Sequence, residues 1–205
     1  MQYPDGLLIC NLCGLHGVST LARAEKLMAE MRSALASVGL KLNKAQTPIK
    51  LCDRDELHKA SRHDFHDERP LLGMARWTIT SSNGRIVART FKDILIQTHL
   101  PEEHFRTVAI HELTHAWLFY HNYRDLPLIV EEGLCVLMEY IWLRSQKNQD
   151  ARFRRTMISQ SLDPIYGDGF RKARQALERM PLKVLLKYVK EKKKFPGKLA
   201  AFFYH

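Results

Sequence analysis

Pro101, followed by Glu102 and Glu103, opens a helix: proline is tolerated in the first turn and acids suit the positive end of the helix dipole. The helix runs to about Asn122, and its middle is apolar, with Val108, Ile110, Leu113, Ala116 and Trp117. Into that middle the chain sets His111-Glu112-Leu113-Thr114-His115. A spacing of four puts both imidazoles on one face, one turn apart, where they can bind a single ion. Five letters can recur by chance, so context decides: an apolar helix following a strand is the setting of a buried zinc-binding helix, and two satisfied core histidines are the bland alternative. Glu112 stands beside the pair, placed to hold a water and take its proton as the water attacks a carbonyl.

A catalytic zinc usually takes a third protein ligand. Glu131-Glu132-Gly133 begins the next helix, which Pro127 opens after a short turn and which runs to about Lys147. Adjacent helical residues point about 100° apart, so one glutamate reaches the metal. The choice falls on Glu132, with Gly133 permitting close approach of the two helices and Glu131 facing solvent or a substrate cleft. His121 and His104 are the rival ligands. Cys135, three residues after Glu132, reads as a core thiol.

The surrounding chain is long enough for one main domain, at 205 residues, and 45% apolar with 26% charged residues excludes disordered, collagen-like and disulfide-stapled classes. Leu21, Ala24, Met28, Met31, Leu35 and Val38 alternate spacings of three and four, with Gly39 behind them, and predict an amphipathic helix. Residues 40–99 read as a small antiparallel sheet: strands at Ile49–Cys52, Ala75–Thr80, Arg85–Thr90 and Ile94–Thr98, with a turn at Ser82-Asn83-Gly84. The last of these is either an edge strand along which an extended peptide adds or an ordinary interior strand. Further helices fit 150–160, 168–179 and 182–194. The fold class is therefore α+β, mostly helical.

With 32 Lys and Arg against 22 Asp and Glu the formal charge is +10, much of it from seven lysines between Lys183 and Lys198. A solvated basic surface is the plain reading, and nucleic acid is not expected as a partner. Leu7-Leu8-Ile9 is too short for a signal peptide's apolar core and no run reaches a membrane span's length, so a cytoplasmic protein without membrane association is expected. Cys10 and Cys13, at C-x-x-C spacing, then suggest half of a zinc site rather than a disulfide.

HELTHAW followed by EEGLC resembles the gluzincin arrangement, two histidines plus a glutamate that precedes a glycine. More closely, the stretch from Phe105 to Trp142, followed by Tyr166-Gly167-Asp168-Gly169-Phe170-Arg171, resembles the LIM-associated zinc peptidases, the plant DA-one growth regulators and their short bacterial relatives. The resemblance implies a zincin-like peptidase domain over residues 19–196, a tail at 197–205, and a LIM-like zinc-hairpin remnant over 1–18 whose upstream ligands are absent. It implies one catalytic zinc, held by His111, His115 and Glu132; Cys10 and Cys13 are a vestigial zinc pair that lacks the upstream ligands, so a second LIM-type zinc is not expected. The ubiquitin-interacting segments of the plant members have no counterpart here, so ubiquitin dependence is not expected. Such a peptidase needs a donor for the oxyanion; Tyr166 is the candidate, or else an ordinary Tyr packed at a helix start, while Asp168 and Arg171 either orient a ligand or substrate or serve as cap and surface pair. The expected function is zinc-dependent peptide hydrolysis of a protein or peptide substrate. The alternative is a noncatalytic, zinc-stabilised binding or regulatory protein with a basic surface.

Overall fold

A computed structural model describes residues 8, 10–61 and 71–197. Most of the expected 1–18 hairpin's first half and nearly all of the 197–205 tail lie outside them. Within the described part, Asn11–His16 forms a short helix, α1, with Cys10 exposed just before it. The chain divides into two compact units, Met1–Ser33 with Leu42–Ala116, and Ala34–Lys41 with Trp117–His205.

In the first unit, α2 (Leu21–Ser37) buries Ala24, Met28 and Met31 of the expected stripe, with Leu27 beside them, while Leu21 at its start is exposed. Three strands follow: β1 (Ile49–Cys52), β2 (Gly73–Ser82) and β3 (Arg85–Gln97), in the order β1-β3-β2. Between β1 and β2 lies a helix the apolar pattern did not announce, α3 (Arg54–Ala60), capped by Asp53 Oδ1, which accepts the Glu56 N–H at 2.7 Å. Its single buried residue, Leu57, packs with Cys52 and Leu95.

The sheet corrects two expectations. It is mixed rather than antiparallel, because β1 runs parallel to β3, from Ile49 opposite Ile94 to Cys52 opposite Gln97. Parallel neighbours need a long crossover, and the residues from Asp53 to the β2–β3 hairpin supply it. The segments at Arg85–Thr90 and Ile94–Thr98 are one continuous strand, and that strand is central. Ile94, Leu95 and Ile96 are fully buried, and among the described residues β1 and β2 take the two outer positions. The hairpin turn is as expected: Asn83 (φ 50°) and Gly84 (φ 74°) both take the left-handed conformation that a two-residue turn between twisted strands requires. Asp93, buried in β3, sits opposite Arg76 of β2, whose guanidinium donates to both carboxylate oxygens at 2.6 and 2.7 Å.

The next helix, α4 (Glu102–Tyr120), starts with the expected acids. Arg106 ties them down, pairing with Glu103 at 2.8 Å and with Glu30 of α2 at 3.1 Å. The second unit is helical: α5 (Leu128–Ser145), α6 (Gln149–Gln160), α7 (Tyr166–Leu177) and α8 (Leu182–Lys192). Its centre is α5, buried at every position from Glu132 to Met138. Against it α7 packs through glycines: a Cβ on Gly169 would stand 2.4 Å from the Ile129 carbonyl oxygen, and one on Gly133 would stand 2.6 Å from the Gly169 carbonyl. The Tyr123 hydroxyl donates to the Leu186 carbonyl at 3.1 Å, and burial raises its pKa to about 12. The molecule is α+β, and no helix among the described residues is long and apolar enough to cross a membrane.

Candidate metal centre

Helix α4 does what its spacing requires. His111 and His115 are both half-buried, their ring centroids 5.0 Å apart and tilted by 58°. Between them on the adjacent face, Glu112 is buried, 6% exposed, and its Oε2 accepts the backbone N–H of Ala75 at 2.7 Å. That bond ties the carboxylate to β2. It is possible because Gly73 has no side chain: a Cβ there would stand 2.5 Å from Val108 Cγ1 and 3.0 Å from Glu112 Cγ. Gly73 and Ala75 are thus part of the site, and sequence reasoning missed both. A glycine at the start of a strand was the available signal, since it marks close backbone approach.

In the second unit, Glu132 is buried and Glu131 half-buried, in keeping with adjacent helical positions turned about 100° apart. Within this unit, the backbone that Gly133 meets is that of Gly169 in α7. Tyr166 opens α7 half-buried, and its N–H donates to Asp163 Oδ1 at 2.6 Å. Asp168 and Arg171 pair with each other, and the Arg171 guanidinium also reaches the Ser161 carbonyl, so together they fasten the α6–α7 corner. His121 is exposed, stacked on Trp117 at 4.1 Å, with Nδ1 2.9 Å from the Trp117 carbonyl. His104 precedes His111 by seven residues, about 10 Å along the helix axis, too far to share an ion with both imidazoles.

His111 and His115 offer two imidazole donors one turn apart on α4, and Cys135 of α5 is a further potential donor. Two imidazoles with a thiolate or carboxylate form a donor set suited to zinc. Cys135 is fully buried, so it is both the core thiol expected and a potential donor. Cys52 is different. Burial, and then the nearby Glu56, Asp53 and Asp93 carboxylates, raise its pKa to about 12 and keep it a thiol.

Comparison with known proteins agrees with the resemblance at the level of family. Residues 67–162, which contain β2, β3, α4, α5 and α6, match the DA1-like family model, described as Protein DA1. The chain is 25% identical to Protein DA1-related 7 of Arabidopsis thaliana, over 92% of its own length and 44% of the relative's. It is 24% identical to LIM domain-containing protein HDR3 of Oryza sativa subsp. japonica, over 96% and 51%, and 23% identical to Protein DA1 of Arabidopsis thaliana, over 96% and 46%. The chain thus spans about half the length of these curated relatives. No solved structure gives a significant match.

Proposed function

We propose, on the premise of this DA1-like relationship, that the chain is a zinc-dependent endopeptidase of the gluzincin type with a zincin-like domain. The observation that carries the reading is the buried Glu112 carboxylate, set between two imidazoles one turn apart and tied by Ala75 to the backbone of an outer strand. A helix built only to fill a core has no use for an ionisable group at each of these positions.

His111 and His115 would hold the zinc, with Glu132 as the third protein ligand and Cys135 as its rival for that place. Zinc held there supplies Lewis acidity, which activates water and polarises a peptide carbonyl. Glu112 takes the water's proton and returns it to the leaving amine, one carboxylate serving as base and then acid. The Ala75 bond fixes where that carboxylate can swing. Tyr166 is the candidate donor to the oxyanion. Peptide substrate lies extended along β2, whose backbone already reaches the base. A reducing cytoplasm suits the site, since it would keep Cys135 a thiol.

The alternative, a noncatalytic zinc-stabilised binding protein, has a distinct signature: Glu132 and Cys135 would both bind and close the ion with four protein ligands. Elemental analysis of purified protein beside a casein-type cleavage assay separates the two. The expected result is one zinc per chain, lost in His111→Ala and in Glu132→Gln but kept in Cys135→Ser, with cleavage lost wherever zinc is lost. Zinc that disappears with Cys135→Ser as well, in a protein that cuts nothing, would give the noncatalytic reading.

A further inference from the structure

The β2–β3 hairpin continues well beyond the sheet that carries the site. Strand β1 pairs only with Ile94–Gln97, so among the described residues the ladder from Trp77–Phe91 to Ser82–Arg85 is a two-stranded ribbon. Every residue from Thr78 to Ala88 is exposed, including Ile79 at 50%, Ile86 at 57% and Val87 at 61%. Two-stranded ribbons are marginal in water, and a hairpin carrying three open aliphatic side chains is an aggregation liability unless something covers it. The register skips Val87 between Thr80 and Ser81, and skips Lys92 between Arg76 and Trp77. Bulges of this kind re-aim side chains and are frequent beside functional sites.

Charge narrows what the cover can be. From Arg76 to Lys92 there are four cations, Arg76, Arg85, Arg89 and Lys92, and no acid. Arg76 is neutralised by Asp93, but Arg85 and Lys92 are exposed. The ribbon is also continuous with the candidate active site, since Ala75, which holds Glu112, lies in the same strand. Seven residues separate Ala75 from Ser82, a reach of about 23 Å at strand rise.

We propose that this ribbon is a substrate-docking arm, which captures an extended, acidic segment of a protein substrate rich in β-branched residues, several residues to one side of the bond to be cut. The proposal rests on the peptidase reading and narrows it to unfolded or locally unfolded acidic protein segments, with short peptides as poor substrates. Aliphatic side chains of the segment cover Ile79, Ile86 and Val87, its carboxylates face Arg85 and Lys92, and its backbone follows β2 back to Glu112.

The test measures binding apart from cleavage. A fluorescent 20-residue peptide alternating Glu with Val and Thr is titrated, by anisotropy, into Glu112→Gln protein. The same titration follows on that background with Ile79→Ser, Ile86→Ser and Val87→Ser combined, and with Arg85→Glu and Lys92→Glu combined. All five positions are exposed, so the fold tolerates them, and an unchanged thermal midpoint verifies it. The expected result is about a tenfold loss of affinity in either set, with the charge-reversed set gaining affinity for the same peptide with Lys in place of Glu. In active protein, both sets should raise KM for a casein-type substrate. Equal binding by all three proteins overturns the proposal. So does competition by a single-stranded oligonucleotide that alone binds tightly, or a dimer in sedimentation that the serine set dissociates, since these would make the cover a nucleic acid or a second copy. If the wild type cuts nothing yet peptide binding still depends on the hairpin, the peptidase reading fails and the docking surface stands.

Discussion

The side chain on which most depends is Glu112, and its neutral isostere isolates what it does. Glu112→Gln keeps the size of the group but cannot take a proton. We expect it to retain zinc and to lose cleavage by a factor of about 10²–10⁴, the usual worth of a general base, whereas His111→Ala loses metal and activity together. A Glu112→Gln protein that cuts as fast as wild type would refute the assignment. A second buried carboxylate tests the sheet instead. Burial alone would push the Asp93 carboxyl up, but the two-pronged bond and charge of Arg76, with Lys50 at 3.5 Å, outweigh it and hold the pKa below the usual carboxylate value. A group depressed in the folded state adds stability that is complete above its unfolded pKa, about 4, and is lost as pH falls through the lower folded value. Asp93→Asn should therefore cost about 2 kcal/mol at neutral pH, discounted from a fully buried pair because Arg76 is partly exposed. The gap between wild-type and variant urea midpoints should narrow as pH falls below about 4. A gap that stays constant from pH 7 to pH 3 would show that the charge of Asp93 contributes nothing.

Between elements, the α5–α7 contact is the least forgiving. A methyl at Gly169 would meet the Ile129 carbonyl oxygen at 2.4 Å and Gly133 Cα at 3.0 Å, and both are backbone, which cannot rotate away. Gly169→Ala should cost about 2–3 kcal/mol in urea unfolding; an unchanged midpoint would mean the helices slide apart freely. The reason for that glycine, like that of Gly133, could not be read from the sequence, because it depends on which helix arrives opposite. What could be read was local. The helices α2, α4, α5 and α8 announce themselves through apolar spacing and through Gly39, Pro101, Pro127 and Pro181 at their ends. The His111–His115 pair was legible for the same reason, its geometry being set by one helical turn. Helix α3 was not, since Leu57 is its only buried residue and leaves no period. Its signals were polar: Asp53 as cap, Asp55 and Glu56 in the first turn, His58 and Lys59 in the last. The parallel β1–β3 pairing and the Ala75–Glu112 bond join residues 45 and 37 positions apart, and nothing within either segment encodes its partner.

For the molecule as a whole, the formal charge of +10 is a number from the sequence whose distribution the fold reveals. On α8 and just beyond it, Lys183, Lys187, Lys190 and Lys194 recur at spacings of four, three and four, all exposed, while Leu185, Leu186 and Val189 face inward. Like charges one turn apart repel. Lys183 adds a second cost, for it lies in the first turn of α8, which contains no acid, where the dipole disfavours a cation. The excess charge therefore works against the compact state, and salt, by screening it, should work in favour. We expect the thermal midpoint to rise by a few degrees between roughly 20 and 300 mM NaCl, where the Debye length falls from about 20 to about 6 Å. Lys183→Glu reverses the charge at the helix start and should add a few tenths to about 1 kcal/mol at low salt. That gain should shrink at high salt, because screening removes the repulsion in wild type and the dipole attraction in the variant alike. A midpoint that falls with salt would show that attractive ion pairs, such as those of Arg106 with Glu30 and Glu103, outweigh the lysine repulsion.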